Sequence, residues 1–231
     1  MDAIVSTAGG VEEDFVKCVG ETYLGEFSLP GKDLRAAGIN RIGNLLVPNN
    51  NYGNFEDFMT PVLDACVAGG GYETPSTFIQ RLGTAMQDDR SVYHWCARRG
   101  IPVFCPALTD GSMGDMMFFH SFRKKGLIID VLPDVGRLRD LVAGATEGLG
   151  VLMVGTGLPK HHVLRACRMA QRPATDVVLI TTGHLHEGGV SSCNPEVDIA
   201  NGDIHPKANV VVLRTEATLV FPVLVSAIMH K

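Results

Sequence analysis

The stretch Ala3-Ile4-Val5-Ser6-Thr7-Ala8-Gly9-Gly10-Val11-Glu12-Glu13-Asp14 decides the fold, because it predicts a strand, a glycine turn and a helix in immediate succession. A helix that begins directly after a strand presents free backbone N–H groups, where parallel α/β proteins hold a phosphate or diphosphate. The adjacent carboxylates of Glu12 and Glu13 would repel phosphate and favour a cationic second ligand. The stretch therefore predicts a dinucleotide beside a polyamine; the alternative is a plain turn followed by an acidic helix start.

Composition and charge bound the class of protein. Of the 231 residues, 45% are apolar and 19% are charged, which is typical of a globular chain with a substantial core. The net charge of -5, with no basic run longer than Arg123-Lys124-Lys125, gives no indication of nucleic-acid binding. No apolar run reaches the ~18–20 residues needed to cross a membrane, and Met1-Asp2 leads into a strand rather than a signal peptide. We therefore expect a cytoplasmic protein.

The six cysteines are expected to be reduced, packed thiols. They contain no Cys-x-x-Cys pair, and the spacing of His, Cys and carboxylate residues makes no credible zinc site. We therefore expect neither a disulfide framework nor a bound metal.

Strands and helices alternate along the rest of the chain. Apolar runs predict strands at 44–47, 101–105, 126–131, 148–154, 176–180 and 210–213, and helical periodicity predicts helices at 55–67, 74–86, 134–145, 161–170 and 217–229. This order predicts an α/β fold, a doubly wound Rossmann-like parallel sheet with helices on both faces, formed by residues 1–231 as one domain. Because such a domain rarely begins with its ligand-binding strand at residue 3, we expect the chain to be N-terminally shortened.

A second ligand edge is predicted after the strand at 101–105. Asp110 and Asp115 follow this strand, and ligands bind at the carboxyl ends of strands in an open parallel sheet. The alternative is helix capping by Ser112 with Asp115 in the third position. His161 opens a later helix and is either a packed imidazole or a hydrogen-bonding group at the same edge.

Seven stretches together resemble one family, the deoxyhypusine synthases, over essentially the whole chain. The resemblance lies in Thr7–Asp14, Tyr23–Phe27, Asn40–Pro48, Pro106–Ser112, Phe118–Ser121, Lys160–His162 and Leu219–Pro222. It implies that the chain lacks the family's N-terminal part, which carries a first strand, a nucleotide-binding Ser-Asn turn and an arm that enters a partner's active site.

The resemblance also implies a chemistry. The family uses NAD to oxidise spermidine, passes the aminobutyl group to an enzyme lysine as an imine, and then passes it to a lysine of a translation-factor precursor. The implied polyamine contacts are Glu12, Glu13, Asp115 and His161. The implied cofactor contacts are Thr7, Ala8, Gly9, Glu13, Asp110, Thr156, Thr182, Gly183, Glu216 and Ala217, with mild departures from the family at 156, 183 and 216.

The family's catalytic loop is altered at four positions. A polyamine-binding aspartate is replaced by Val190, a glutamate by Val197, a stacking tryptophan by Asn201 and the nucleophilic lysine by Asp203. A carboxylate cannot form an imine, so no catalytic residue is intact, and Lys207 lies four residues further on.

We therefore expect an inactive regulatory subunit that completes a site on a lysine-bearing paralogue, within a hetero-tetramer. Three alternatives stay open: an active or weakly active deoxyhypusine synthase, an NAD- or polyamine-binding module outside hypusine formation, and a shortened product that does not fold by itself.

Overall fold

The computed structural model describes residues 1–230, which form two compact units. Unit 1 is Met1–Val131, and unit 2 begins at Leu132. Both combine helices with short parallel strands, so the predicted α/β class with parallel strands flanked by helices is confirmed. That the whole chain forms a single domain stays a prediction.

Unit 1 contains two parallel strand pairs and one antiparallel sheet. In chain order its elements are β1 (Ile4–Val5), α1 (Ala8–Val19), β2 (Tyr23–Leu24), α2 (Gly31–Ala36), β3 (Ile39–Ile42), β4 (Leu45–Pro48), α3 (Asn49–Ala68), β5 (Tyr72–Glu73), α4 (Pro75–Ala85), α5 (Val92–Arg99), β6 (Val103–Phe104), α6 (Ser112–Arg123) and β7 (Ile128–Ile129). β1 pairs with β6 and β5 pairs with β7, both in parallel.

The core of unit 1 is built by the apolar faces of α1, α3, α4 and α5. Phe15 of α1 lies 6.4 Å from Phe55 and 5.7 Å from Tyr93, measured between ring centroids. All three residues are buried, which fixes α1, and with it the start of that helix, against the rest of the unit.

The antiparallel sheet of unit 1 differs from the predicted organisation. The predicted strand near residue 45 exists as β4, but it pairs antiparallel with both β2 and β3. β3 and β4 are joined by a two-residue loop, Gly43-Asn44, in which Gly43 has φ 63°. A glycine with positive φ is typical of such tight hairpins, and no hairpin was predicted for this segment.

Unit 2 is organised around one three-stranded parallel sheet. Its elements are α7 (Leu132–Ala143), β8 (Gly150–Val154), α8 (Leu158–Met169), β9 (Ala174–Thr181), a short 3-10 turn (Gly189–Ser191), α9 (Pro195–Ala200), β10 (Ile204–Arg214) and α10 (Ala217–Met229). The strand order is β10-β9-β8, with Val154 opposite Ile180 and Leu213 opposite Ile180 on the other side. All three strands therefore end at the same edge.

Two further predictions can be compared with residues 1–230. None of the helices there is long and apolar enough to span a membrane. All six cysteines are free thiols, and five of them are buried, as expected for packed side chains.

Candidate functional site

The predicted strand–turn–helix start exists in unit 1. β1 ends before Thr7, and α1 begins at Ala8 with Thr7 as its N-cap, whose Oγ1 accepts a hydrogen bond from Gly10 N at 3.0 Å. Because β1 and β6 are parallel neighbours, the segments after both strands leave from one edge. Thr7, Ala8 and Gly9 therefore lie at the same edge of the β1–β6 pair as the segment that carries Asp110.

The Glu12 side chain caps the N-terminus of α6. Its Oε2 accepts a hydrogen bond from Met113 N at 2.9 Å, and the residue is only 7% exposed. A Cβ at Gly111 would lie 2.7 Å from this oxygen, so a glycine is required for the approach. Capping by Ser112 is not what the structure has: Gly111 is the N-cap residue and makes no side-chain cap bond, and Glu12 supplies the acceptor from a distant part of the chain.

Four carboxylates share this edge of unit 1. The pKa of Glu12 is raised, mainly by burial, and the charges of Asp115 and Asp110 add to the shift while two backbone N–H groups oppose it. The pKa of Glu13 is raised as well, first by burial and then by Glu12, against the influence of Lys17. A carboxylate whose pKa is raised by burial and by neighbouring carboxylates gains from a bound cation.

One carboxylate oxygen of Glu13 also lacks a hydrogen-bond donor in the part of the chain that the structure describes. Its Oε2 is buried and has no hydrogen-bond partner among residues 1–230. The phenol of Tyr52 is close enough that Glu13 and Glu12 contribute to its raised pKa, after burial as the main cause. An unpaired buried carboxylate oxygen is costly, so a donor brought by a ligand would be favoured there.

The predicted cofactor residues of unit 2 meet in one pocket. A cavity of about 490 Å³ lies at the carboxyl ends of the unit 2 strands, and five predicted residues line it: Thr156, Thr182, Gly183, Glu216 and Ala217. Glu216 also caps α10, where its side chain accepts a hydrogen bond from Thr218 N at 3.3 Å.

Sequence reasoning missed other residues of this pocket. His184, Glu187, Ser191 and Thr215 line the same cavity, and none of them was predicted. Thr215 directly precedes Glu216, so its position could have been found from the end of β10. The others lie on the loop after β9, where neither a strand nor a helix indicates which side chains turn inward.

Asp203 is held in a buried ion pair rather than at an open catalytic position. The residue is 3% exposed, and its Oδ1 lies 3.3 Å from Nε of the partly exposed Arg168 (39%), although this oxygen accepts no hydrogen bond among residues 1–230. Burial raises the pKa of Asp203, with the charge of Arg168 as the largest opposing cause; Asp198 adds to the shift and His161 opposes it. His161, predicted as a polyamine contact, is half-buried and lies within electrostatic reach of this carboxylate.

A second buried ion pair lies beside the first. Lys160 Nζ is 2.8 Å from Asp198 Oδ2, with side-chain exposures of 6% and 13%. The two pairs join α8 to α9 and to the start of β10. Two cations of α8 therefore lie beside two buried carboxylates in this region.

The backbone around residue 203 is also fixed. α9 ends at Ala200, and Gly202 two residues later has φ 78°; Gly202 N and Asp203 N donate to the carbonyls of Ile199 and Asp198 at 3.0 and 2.9 Å. These two backbone hydrogen bonds form a Schellman motif, which fixes the backbone from which the Asp203 side chain projects. Lys207 is exposed on β10, in a different environment from Asp203.

The other three altered positions of the loop face outward. Val190 is 40% exposed, Val197 is 49% exposed, and Asn201 is exposed at the end of α9. Within residues 1–230, no group of three or more His, Cys, Asp or Glu side chains is arranged to hold a metal ion.

These features define an α/β protein whose predicted ligand residues lie at the carboxyl edges of short parallel strands. A family model described as "Deoxyhypusine synthase" matches residues 1–228. The chain is 48% identical over 229 residues to a Drosophila melanogaster protein named "Probable deoxyhypusine synthase", covering 97% of this chain and 62% of that protein. It is 45% identical over 236 residues to the Trypanosoma brucei brucei "Deoxyhypusine synthase regulatory subunit", covering 96% of this chain and 68% of that one.

A solved structure is also similar to this chain. A crystal structure assigned as a deoxyhypusine synthase from Entamoeba histolytica matches with a TM-score of 0.68 and 25% identity, over 98% of this chain and 64% of that chain. The chain belongs to the deoxyhypusine synthase family. It spans less than two thirds of the length of the Drosophila and Entamoeba proteins.

Proposed function

We propose that the chain is a non-catalytic subunit of a deoxyhypusine synthase, which activates a lysine-bearing partner and does not itself transfer the aminobutyl group. The observation that carries the proposal is Asp203, the residue that stands where the resemblance places the nucleophilic lysine. Its carboxylate is buried and paired with Arg168, so this position supplies no amine. Without an amine, no imine with the aminobutyl group can form there.

The charges around Asp203 make the position unsuited to a lysine. Arg168 and Lys160 both approach from α8, and only Asp198 balances Lys160. An ammonium group at residue 203 would replace a carboxylate beside these cations and would leave Arg168 unpaired. The surroundings of residue 203, and not only its side chain, therefore support a position that no longer carries the amine.

The nucleotide cradle is expected to be retained. The pocket of unit 2 offers the hydroxyls of Thr156 and Thr182 and the backbone of Gly183 and Ala217, and Glu216 would accept hydrogen bonds from ribose hydroxyls. These residues fit NAD, which supplies a hydride acceptor when bound. In unit 1, Thr7, Ala8, Gly9 and Asp110 are the residues that the family resemblance assigns to NAD.

The acidic edge of unit 1 is expected to hold spermidine. Glu12, Glu13 and Asp115 raise the local negative charge, and Glu13 Oε2 lacks a donor among the described residues. A polyamine brings ammonium groups that pair with these carboxylates and relieve their mutual repulsion. In unit 2, the family resemblance assigns His161 to a polyamine.

The partner is expected to be a lysine-bearing paralogue, within a hetero-tetramer in the cytoplasm. A relative of similar sequence is named a regulatory subunit, which supports a role of this kind. Through that partner, the chain would contribute to modification of the translation-factor precursor.

The test compares the chain alone with the chain mixed with a lysine-bearing synthase from the same organism. Transfer of labelled aminobutyl groups from spermidine to the precursor is measured with NAD present. We expect no transfer by the chain alone and a rate in the mixture that exceeds that of the partner alone. Transfer by the chain alone would refute the proposal.

Three further measurements separate the alternatives. Binding of NAD and spermidine without any stimulation of a partner would favour a binding module outside hypusine formation. NADH formation from spermidine without transfer to the precursor would favour a weak enzyme. A broad, non-cooperative thermal transition would favour a shortened product that does not fold by itself.

A further inference from the structure

A groove in unit 1 contains none of the residues assigned to NAD or spermidine. Its volume is about 810 Å³, within the range of small-molecule sites, and it lies between α3, β5 and α4. One wall is apolar and is formed by Pro61, Val62 and Ala65 of α3. The opposite wall is polar, so the groove has the mixed lining that orients a small ligand.

A buried carboxylate organises the polar wall. Glu73 is 5% exposed, and its Oε2 accepts a hydrogen bond from Thr77 Oγ1 at 2.6 Å. Its Oε1 lies 2.7 Å from Arg81 Nε. Cys66 lies behind it, and burial, with Glu73 as the next cause, raises the pKa of that thiol to about 11, so the thiol stays protonated.

Arg81 is held by Glu73 but keeps donors for a ligand. Its side chain is 49% exposed and lines the groove. A guanidinium has five N–H donors in a rigid plane, and one carboxylate oxygen takes only part of them. Glu73 is the one acidic partner of Arg81 within residues 1–230. A fixed guanidinium with donors to spare is the arrangement that recognises a planar or tetrahedral oxyanion.

The neighbouring side chains are suited to the rest of such a ligand. Gln80, Thr84 and Tyr72 line the groove with Arg81. The Gln80 amide can donate or accept, whereas the Thr84 hydroxyl donates to the backbone O of Gln80 at 2.8 Å, so the two hydroxyls are left as acceptors. The Tyr72 hydroxyl donates to Asp130 Oδ2 at 2.7 Å, which orients the ring at the rim. The apolar wall of α3 would contact the carbon skeleton of a ligand.

We propose that this groove is a binding site for a small organic anion, whose carboxylate or phosphate group is held by Arg81 with Glu73 fixing the guanidinium behind it. The site is separate from the residues assigned to the aminobutyl chemistry. Its occupation does not depend on whether the chain is catalytic.

The test uses the full chain, with succinate and inorganic phosphate as probes in calorimetry and in NMR spectra of the arginine Nε–H groups. We expect saturable binding of at least one probe, with the largest shifts at Arg81 Nε–H. Tighter binding of succinate indicates a carboxylate ligand, and tighter binding of phosphate indicates a phosphorylated one. Either result supports the site.

Two variants locate the binding. Arg81→Gln should weaken it at least about tenfold, the usual loss when a charged hydrogen bond is removed. Because this change leaves Glu73 without its cation, Arg81→Lys is tested beside it; a lysine keeps the ion pair but lacks the planar fork, and should also bind more weakly. The matched control is Arg139→Gln, an arginine of similar exposure (46%) that pairs with Asp140 in unit 2.

The inference is overturned by any of three results. These are the absence of saturable binding of both probes, binding that both Arg81 variants leave unchanged, and equal weakening by Arg139→Gln.

Discussion

The acidic edge of unit 1 and the loop of unit 2 contain the same kind of side chain in opposite settings. In unit 1, Glu12 is buried and Glu13 is half-buried beside other carboxylates, and one oxygen of Glu13 has no partner in the described chain. In unit 2, Asp198 and Asp203 each have a cation from α8. Among the described residues, the first set has no cation paired with its unpartnered oxygen, whereas the second has a cation near each carboxylate, even though Asp203 Oδ1 accepts no hydrogen bond there.

Reversing the charge at residue 203 should have the largest effect. Asp203→Lys places a cation beside Arg168 in a buried position, and we expect the free energy of unfolding to fall by at least about 3 kcal/mol, without any gain of transfer activity. Urea denaturation and the aminobutyl-transfer assay measure the two effects. Asp203→Asn is the control of similar volume and should cost less. Full transfer activity after the lysine change would mean that the loop had been assigned wrongly.

Removing the second cation of unit 2 tests whether its carboxylates depend on the pairs. Lys160→Met leaves Asp198 buried without its partner, so we expect a loss of about 3 kcal/mol in the free energy of unfolding. The matched control is Lys124→Met in unit 1, where the Lys124–Asp64 pair is far more exposed (50% and 38%). That change should cost less than about 1 kcal/mol. Equal costs would show that burial does not distinguish the two pairs.

A smaller effect is expected from Gly111→Ala in unit 1. The added Cβ would displace Glu12 from Met113 N, so we expect a loss of about 1–2 kcal/mol, the cost of an unsatisfied buried group. Gly136→Ala in α7 is the control, because a Cβ there meets nothing within 4 Å. It should be neutral or stabilising, as Ala is a better helix former than Gly. Thermal unfolding of both variants measures the difference.

The smallest effect concerns the pH dependence of unit 1. Because the folded protein raises the pKa of Glu13 above its usual value of 4.5, the ionised carboxylate opposes folding. The protonated carboxyl of Glu13 therefore favours the folded state. This contribution to stability is complete below pH 4.5 and is lost as the pH rises through the pKa that Glu13 has in the folded protein. Glu13→Gln should therefore be more stable than the natural chain at pH 7.

The difference between Glu13→Gln and the natural chain should shrink as the pH falls towards 4.5. Unfolding midpoints at several pH values measure it, with the exposed Glu56→Gln as a control that should show no such trend. Saturating spermidine should reduce the advantage of Glu13→Gln at pH 7, because the ligand pairs with the carboxylate. A constant difference across the pH range would contradict the role given to burial.

Local patterns predicted much of this structure. The apolar runs near residues 3, 103, 150, 177 and 211 are strands, and all five are followed by segments where we expected ligand residues. In unit 2, the segments after β8, β9 and β10 together form one pocket, because parallel neighbours end at a common edge. The hairpin of β3 and β4 was missed although Gly43-Asn44 carries its signal, since each strand is only four residues long.

The contacts that decide the chemistry were beyond the sequence patterns. Met113 and Glu12 are 101 residues apart, and no local rule links a helix start to so distant a carboxylate. Lys160 and Asp198 likewise meet only after α8 and α9 are packed. The sequence indicated that residue 203 lacks an amine, but the compensating cations could be recognised only in the folded chain.

The most direct test of the central claim is to trap the covalent carrier. The purified chain is incubated with spermidine and NAD, reduced with borohydride and analysed by mass spectrometry for an aminobutyl adduct on any side chain. A lysine-bearing synthase treated in parallel serves as the positive control. We predict an adduct on that control and none on this chain, whereas an adduct on any of its own lysines would contradict a non-catalytic role.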